Sequence, residues 1–185
     1  GSIEFSGKEI MYADENEMRT IRGNRISIIF QEPLSSLNPL HNIEKQISEV
    51  LHLHKKMSPK QAHNRVKELL DLVDMPEAKE RLNSFPHEFS GGQQQRIMIA
   101  MALANEPELL IADEPTTALD VTIQAQVLKL LKELTQKLNM GLFMITHDLG
   151  IVKRMAEKVY VMHKGRVIEH NNTKALFASP SHKYT

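Results

Sequence analysis

The sequence predicts an α/β protein with a mainly parallel sheet, and three observations lead to this prediction. Apolar runs of strand length alternate with longer segments of helical periodicity along the 185 residues of the chain. The run at 109–112 is unbroken and apolar, which is the pattern of a central parallel strand covered on both faces. From there to Glu169 the elements follow the order strand, helix, strand, helix, strand, which is typical of an α/β sheet.

The amino-terminal part is predicted to hold a short hairpin and a strand. Residues 2–10 alternate apolar and polar side chains around Gly7, which favours an exposed hairpin or an edge strand. Residues 25–30 are rich in β-branched and aromatic side chains, and Pro33 ends that strand. Gln31 is therefore expected at the carboxyl end of a strand.

A mainly helical insert is predicted at 43–104. Apolar residues recur at helical spacing over 43–72, and Ser58 followed by proline marks the start of a second helix within that stretch. Ser90 is a favourable N-cap for a further helix over 91–104, because its hydroxyl can accept a backbone N–H of the first turn.

The carboxyl-terminal half is predicted to alternate strands and helices. The strand at 109–112 delivers two acids, Asp113 and Glu114, at its carboxyl end. A later buried strand delivers His147 in the same way. The predicted elements after the acids are a helix at 122–138, a strand at 142–146, a helix at 149–156, and a hairpin of strands at 159–162 and 166–169.

Composition excludes several classes of protein. Lys plus Arg equals Asp plus Glu at 23 each, so no overall field draws the chain to nucleic acid or anionic lipid. The chain has no cysteine, which excludes disulfides and thiolate metal sites within it. Its apolar runs are far shorter than the roughly 18 residues of a bilayer span. Any role at a membrane is therefore expected to be peripheral.

Two strings carry candidate chemistry. Beside a nucleotide, the acids Asp113 and Glu114 could hold Mg²⁺ with one carboxylate and orient a water with the other. The dipeptide alone is more often a strand end that faces solvent or caps a helix. The string at 90–93, Ser-Gly-Gly-Gln, opens a helix whose exposed N–H groups favour an anion such as phosphate. A Ser-Gly-Gly turn by itself could equally be a flexible helix start.

In their order along the chain, these strings resemble the ABC-type ATPase family. The string at 89–93 resembles the family's signature, with Phe89 in place of the usual leucine. The strand at 109–113 resembles the family's Walker B strand, and the string at 118–120 resembles its D-loop. Gln31 resembles the Q-loop glutamine, and His147 resembles the switch histidine. The resemblance extends over the whole chain.

The resemblance implies a P-loop NTPase-like (RecA-like) α/β fold with a mainly parallel sheet and an inserted helical subdomain. The helical subdomain, with the signature helix, is expected at about residues 40–104. The α/β catalytic core is expected at about residues 1–39 and 105–185.

The resemblance also implies a role for each site residue. Asp113 would hold Mg²⁺ through water, and Gln31 would sense the ion and the γ-phosphate of ATP. Glu114 would polarise the attacking water, and His147 would contact the γ-phosphate. The residues expected to close over nucleotide held by a second cassette are Ser90, Gly91, Gly92 and Gln93 of the signature, with Ala118, Leu119 and Asp120 of the D-loop.

Finer features are similar to the oligopeptide and dipeptide importers. This similarity rests on the strings at 30–33 and 36–39 and on the segment 175–185. Among these importers, the chain is most similar to the first half of fused, two-cassette subunits associated with microcin C uptake. The similarity implies transmembrane permease subunits and a periplasmic or extracellular substrate-binding protein as partners, with no nucleic acid. It also implies a peripheral position on the cytoplasmic side of the membrane.

The sequence contains no Gly-x₄-Gly-Lys-Ser/Thr string, the loop whose backbone N–H groups cradle the β-phosphate. In the family this Walker A loop precedes the point that corresponds to Gly1, so we expect the chain to be a fragment truncated at its N-terminus. We therefore expect the chain to bind Mg·ATP very weakly and to hydrolyse it negligibly by itself.

Two other functions stay open on the sequence alone. A soluble ABC-type ATPase in DNA repair or translation would share the motifs, although the balanced charge and the string at 31–33 argue against it. A non-catalytic cassette that supports a partner's ATPase would share the signature. The presence of both Glu114 and His147 argues for catalytic competence instead.

Overall fold

Most strands and helices form where the side-chain pattern predicts them. The computed structural model describes residues 1–31, 36–117 and 119–185. Among these residues the strands are β1 (Glu4–Phe5), β2 (Lys8–Glu9), β3 (Ile26–Ile29), β4 (Leu109–Asp113), β5 (Gly141–Ile145), β6 (Lys158–His163) and β7 (Arg166–Asn172). The helices are α1 (Glu15–Ile21), α2 (Ile43–Lys55), α3 (Pro59–Leu72), α4 (Gly91–Leu103), α5 (Val121–Lys137), α6 (Leu149–Met155) and α7 (Thr173–Ala178), with 3₁₀ turns at Pro76–Arg81 and Pro86–Glu88.

A sheet in the order β3–β4–β5 carries the predicted acid pair. β3 runs parallel to β4, with Ile26 opposite Leu109 and Ile29 opposite Ala112. Helices precede and follow these strands along the chain, so the predicted α/β class is confirmed. The hairpins β1–β2 and β6–β7 are antiparallel.

The prediction that the strand at 109–112 is covered on both faces is wrong for the part of the chain that the structure describes. Leu110 and Ala112 are fully buried, whereas Leu109 and Ile111 are only half-buried. Alternate side chains of a strand point to opposite faces, so one face of β4 lies in the core and the other is partly covered. An unbroken apolar run does not distinguish these two cases.

Three helices, α2, α3 and α4, pack against one another in the stretch predicted to be helical. Each begins at a polar cap, namely Asn42, Ser58 and Ser90. A cap of this kind contributes about 1 kcal/mol to stability. The largest fully buried side chains of these helices are Ile43, Ile47, Leu51, Leu69, Leu70, Ile97, Ile99 and Leu103.

An ion pair ties the amino-terminal hairpin to the sheet. Arg25 Nε and Nη2 donate to the two carboxylate oxygens of Glu108 at 2.5 and 3.0 Å. Ser6 Oγ donates to the same carboxylate at 3.2 Å, and the Arg25 guanidinium lies 4.7 Å from the ring centroid of Phe5. Hydrogen bonds from Arg25 are the main cause that lowers the pKa of Glu108. The hairpin is therefore held beside the start of β4.

The described residues divide into two units, 1–143 and 144–185. Within the second unit, α7 contacts α6 and packs on β6 and β7. The turn between these strands has positive φ at both Lys164 and Gly165, 49° and 74°, as a two-residue type I′ hairpin turn requires. The hairpin predicted here is confirmed. The division into a helical subdomain at about 40–104 and an α/β core stays a prediction.

Two short helices, α1 and α7, were not predicted. They have seven and six residues, about two turns each, so little helical periodicity is available in the sequence. Asp14 caps α1, because its carboxylate accepts the amide N–H of Glu17 at 2.8 Å. Among the helices that the structure describes, none combines the length and the apolar character needed to cross a bilayer.

Candidate functional site

The carboxyl ends of β3 and β4 bring two candidate residues to the same edge of the sheet. Ile29 of β3 lies opposite Ala112 of β4, and the two strands are parallel. Asp113 is the last residue of β4, while Gln31 follows β3 by two residues and is exposed. The expected strand-end position of Gln31 is therefore confirmed. The neighbouring string at 32–35 lies outside the described residues.

Glu114 opens a tight turn directly after β4. Its backbone is left-handed, with φ of 45°, which is uncommon for a residue with a side chain and needs support from surrounding contacts. Thr117 supplies two of them. Its amide donates to the carbonyl oxygen of Glu114 at 3.3 Å, and its hydroxyl donates to Glu114 Oε2 at 2.5 Å. The turn therefore fixes the direction of the carboxylate.

The predicted D-loop leads from this turn into α5. The amide of Leu119 donates to the carbonyl oxygen of Thr116 at 3.1 Å, and Gln124 Nε2 donates to the buried Thr116 Oγ1 at 3.0 Å. Asp120 is the N-cap of α5 and accepts two amide N–H groups of its first turn, each at 3.0 Å. The third predicted D-loop residue, Ala118, lies outside the described residues.

Ser90 caps α4, as the sequence predicts. Its hydroxyl accepts the amide N–H of Gln93 at 3.4 Å, and Gln93 Oε1 accepts the amide N–H of Ser90 at 3.0 Å. Gly91 and Gly92 lie in the first turn, where backbone N–H groups have no partner within the helix. These N–H groups and the helix dipole together favour an anion at this end of α4.

The two glycines bring α4 against the D-loop and α5. A Cβ atom on Gly92 would lie 2.7 Å from Ile123 Cγ2, which is closer than side chains approach one another. A Cβ atom on Gly91 would lie 3.9 Å from Leu119 Cδ2, an ordinary contact. The string at 90–93 therefore lies against the segment 119–123, which follows the acid pair 113–114 closely along the chain.

A buried glutamine and an arginine hold the loop that precedes α4, and neither was predicted from the sequence. Gln94 donates through Nε2 to the carbonyl oxygens of Pro86 and Phe89 at 2.9 and 3.0 Å. Arg81 Nη2 donates to the carbonyl oxygen of Glu88 at 3.1 Å, and its guanidinium lies 4.6 Å from the ring centroid of Phe89. The only sequence signal was the position of Gln94 among the apolar residues of α4.

His147 belongs to the second unit, where it follows the end of β5 at Ile145 by two residues and is exposed. The amide of Asp148 donates to Thr146 Oγ1 at 3.1 Å. Asp148 Oδ1 accepts two amide N–H groups of the first turn of α6, at 2.7 and 3.1 Å. These bonds fix the backbone on both sides of His147, so the residue lies in a defined turn after a strand end.

The oxygen ligands at the sheet edge fit Mg²⁺. Asp113 and Gln31 offer a carboxylate and an amide oxygen from adjacent parallel strands. Within the described ranges, no three or more His, Cys, Asp or Glu side chains are grouped so that they could hold a metal ion. Mg²⁺ is usually held by one or two carboxylates together with waters and substrate phosphates. The donor set therefore suits a magnesium nucleotide complex.

Comparison with known proteins gives matches over the whole chain. A family model described as "ABC transporter" matches residues 1–117. The chain is 54% identical over its 185 residues to the uncharacterized ABC transporter ATP-binding protein YejF of Escherichia coli (strain K12), of which it covers 35%. It is 52% identical over the same 185 residues to the oligopeptide transport ATP-binding protein OppD of Bacillus subtilis (strain 168), of which it covers 52%. The chain thus spans about a third to a half of the length of these relatives.

Solved structures match over most of the chain. One is a dimeric, post-hydrolysis state of the ATP-binding cassette MJ0796 bound to ADP and Pi. The match has a TM-score of 0.78 and 30% sequence identity, and it covers 91% of this chain and 72% of the MJ0796 chain. Another is cbiO1 from Clostridium perfringens, part of the ABC transporter complex cbiONQ, with a TM-score of 0.78 and 32% identity over 95% of this chain and 67% of that one.

Proposed function

Because the chain belongs to the ABC transporter family, we propose that it forms part of an ATP-hydrolysing cassette in a transporter that imports peptides or peptide-like compounds. The observation that carries the proposal is the approach of the string 90–93 to the segment 119–123, which the hydrogen-bonded turn at Glu114 connects to the end of β4. The peptide class is supported by relatives named as oligopeptide and dipeptide transport ATP-binding proteins, which are 52% and 51% identical to this chain.

Asp113 and Gln31 would hold Mg²⁺ at their shared sheet edge. Asp113 would hold the ion through water, and Gln31 would contact both the ion and the γ-phosphate. The bound ion supplies positive charge that offsets the charge of the phosphates. Support comes from the oxygen chemistry of both side chains and from the parallel register of their strands.

Glu114 would polarise the water that attacks the γ-phosphorus, and His147 would contact the γ-phosphate. The reaction transfers the phosphoryl group to water and yields ADP and phosphate, so catalysis depends mainly on positioning and on charge. The hydrogen-bonded turn at Glu114 supports its role. For His147, support comes from its place between a strand end and the cap of α6.

The start of α4, residues Ser90 to Gln93, would close over a nucleotide held by a second cassette. The capped amino end with two glycines supports contact with phosphate, because backbone N–H groups can approach the anion closely. Leu119 and Asp120 of the D-loop would lie at the same joint surface. The cassettes would close on ATP and separate after hydrolysis, because nucleotide that binds only the closed pair stabilises it.

The partners of the cassette would be transmembrane permease subunits and a substrate-binding protein. The cassette itself would lie peripherally at the cytoplasmic side of the membrane. The names of the relatives support the transport role, and one of the solved relatives is named as part of a transporter complex.

The test of this proposal is transport by the full-length gene product, reconstituted with its permease subunits in proteoliposomes. We expect Mg²⁺-dependent ATP hydrolysis and ATP-dependent uptake of labelled oligopeptides, with no uptake of labelled sugars. If DNA or ribosomes stimulate hydrolysis and no peptide is taken up, the protein is a soluble ATPase and the transporter proposal is wrong. A permease complex that shows no ATP hydrolysis would indicate a non-catalytic cassette.

A further inference from the structure

Two adjacent threonines follow the acid pair, and they make different contacts. Thr116 is buried, and its hydroxyl accepts a hydrogen bond from Gln124 Nε2 at 3.0 Å, which ties the turn to α5. Thr117 is exposed, and its hydroxyl donates to Glu114 Oε2 at 2.5 Å. The first threonine therefore supports the backbone of the turn, whereas the second acts on the carboxylate.

The contact between Thr117 and Glu114 is a short hydroxyl-to-carboxylate bond. Bonds in which the acceptor is ionised are shorter and stronger than neutral ones. A glutamate side chain has three rotatable bonds, so its carboxylate points in one direction only when something holds it. The backbone bond from Thr117 to Glu114 at 3.3 Å fixes the distance between the two residues, which keeps the hydroxyl within reach.

We propose that Thr117 is a positioning residue for Glu114, whose hydroxyl holds one carboxylate oxygen and so fixes the plane in which the carboxylate meets the attacking water. This inference rests on the proposed function, because it assigns Thr117 a part in the same hydrolysis. In this role Thr117 acts through Glu114, the residue that its hydroxyl and amide both contact.

The contact requires a hydrogen-bond donor in the side chain of residue 117. The hydroxyl is needed and the methyl group is not, so serine should replace threonine with little loss. Valine has the same shape as threonine but cannot donate, so it should leave the Glu114 carboxylate without this hydrogen bond. The loss should fall on the chemical step, because the water is polarised only there.

The test compares T117V and T117S in the full-length gene product with its permease subunits. T135V serves as the matched control, because Thr135 Oγ1 donates to the carbonyl oxygen of Lys132 within α5, away from the turn. We expect T117V to lower kcat for ATP hydrolysis about tenfold, which corresponds to about 1.4 kcal/mol at the transition state. KM for ATP should stay within about twofold, and T117S and T135V should behave like the unmodified protein.

The outcomes separate this inference from the function on which it rests. Unchanged kcat in T117V, an equal loss in T117S, or a raised KM with unchanged kcat would each overturn the positioning role and leave the proposed function intact. Absence of hydrolysis in the unmodified complex would overturn both. Thermal unfolding of each variant is measured in parallel, and T117A provides a second variant without the hydroxyl should T117V fail to fold.

Discussion

The two glycines at the start of α4 face different surroundings, although the sequence presents them as one string. Gly91 has room for a side chain, since the nearest atom to its Cβ position is 3.9 Å away. Gly92 has none, because its Cβ position lies 2.7 Å from Ile123 Cγ2. Close approach of α4 to α5 therefore depends on the second glycine.

This difference predicts opposite effects of alanine at the two positions. Alanine favours helix by about 1 kcal/mol over glycine, so G91A should be neutral or stabilising. G92A should lower the free energy of unfolding by about 1–3 kcal/mol, because the added methyl group forces Ile123 to move. Chemical denaturation of the purified variants measures both changes.

The double variant G92A/I123A tests the cause of the G92A loss. Removal of the Ile123 side chain opens the space that the new methyl group needs, so the two changes should compensate in part. If the double variant instead loses the full sum of both single changes, the contact between α4 and α5 does not explain the loss.

Strand-end residues could be predicted from the sequence, whereas the contacts that hold their side chains and loops in place could not. Gln31, Asp113 and Glu114 follow recognisable β-branched or apolar runs, so the alternation of elements predicts their places. The bond from Thr117 to Glu114 depends on the left-handed backbone of Glu114, which no residue type in the string requires. The arginine over Phe89 comes from a different 3₁₀ turn and leaves no pattern in the sequence.

In the second unit, one carboxylate holds the carboxyl-terminal segment against β7. Glu169 accepts the amide N–H groups of Ser181 and His182 at 2.6 and 3.0 Å. The bond from the Ser181 amide is the largest cause that lowers the pKa of Glu169, and the side chain of Thr185 adds to it. The ionised carboxylate is therefore the form that the folded segment favours.

The lowered pKa predicts how this segment responds to acid. The folded state favours the charged carboxylate, so its contribution is complete above the unfolded glutamate pKa of about 4.3 and is lost as the pH falls through the lower folded pKa. We expect the amide proton resonances of Ser181 and His182 to shift in this acid range in an NMR titration. E169Q should abolish the shift, and E157Q should preserve it, because Glu157 is an exposed acid of the same unit.

The long, capped helices and the seven-residue α6 were predictable, whereas α1 and α7 were not. The predicted helix at 122–138 forms as Val121–Lys137, and the predicted strand at 142–146 forms as Gly141–Ile145. The prediction that this strand is buried is wrong, because its described side chains are exposed or half-buried. The helix ends earlier than the glycine suggests, because Asn139 already adopts a positive φ of 49°. The hairpin after residue 157 was predictable because Lys-Gly suits a two-residue turn.

At the scale of the whole molecule, the fold predicted by resemblance is confirmed. Of the solved relatives, one is named as an ATP-binding cassette and the other as part of an ABC transporter complex. Both have TM-scores of 0.78, and they are 30% and 32% identical to this chain. The α/β class follows from the alternation of elements alone. The P-loop NTPase-like assignment needed the ordered strings, because an apolar strand followed by two acids occurs in many α/β proteins.

The central claim is hydrolysis of ATP with Glu114 as the residue that polarises water, and the most direct measurement is phosphate release by E114Q in the full-length gene product. We expect E114Q to bind ATP, to release essentially no phosphate and to accumulate the closed pair of cassettes. E133Q, which changes an exposed glutamate of α5 paired with Lys129, should hydrolyse ATP normally. Unchanged steady-state phosphate release by E114Q would contradict the account.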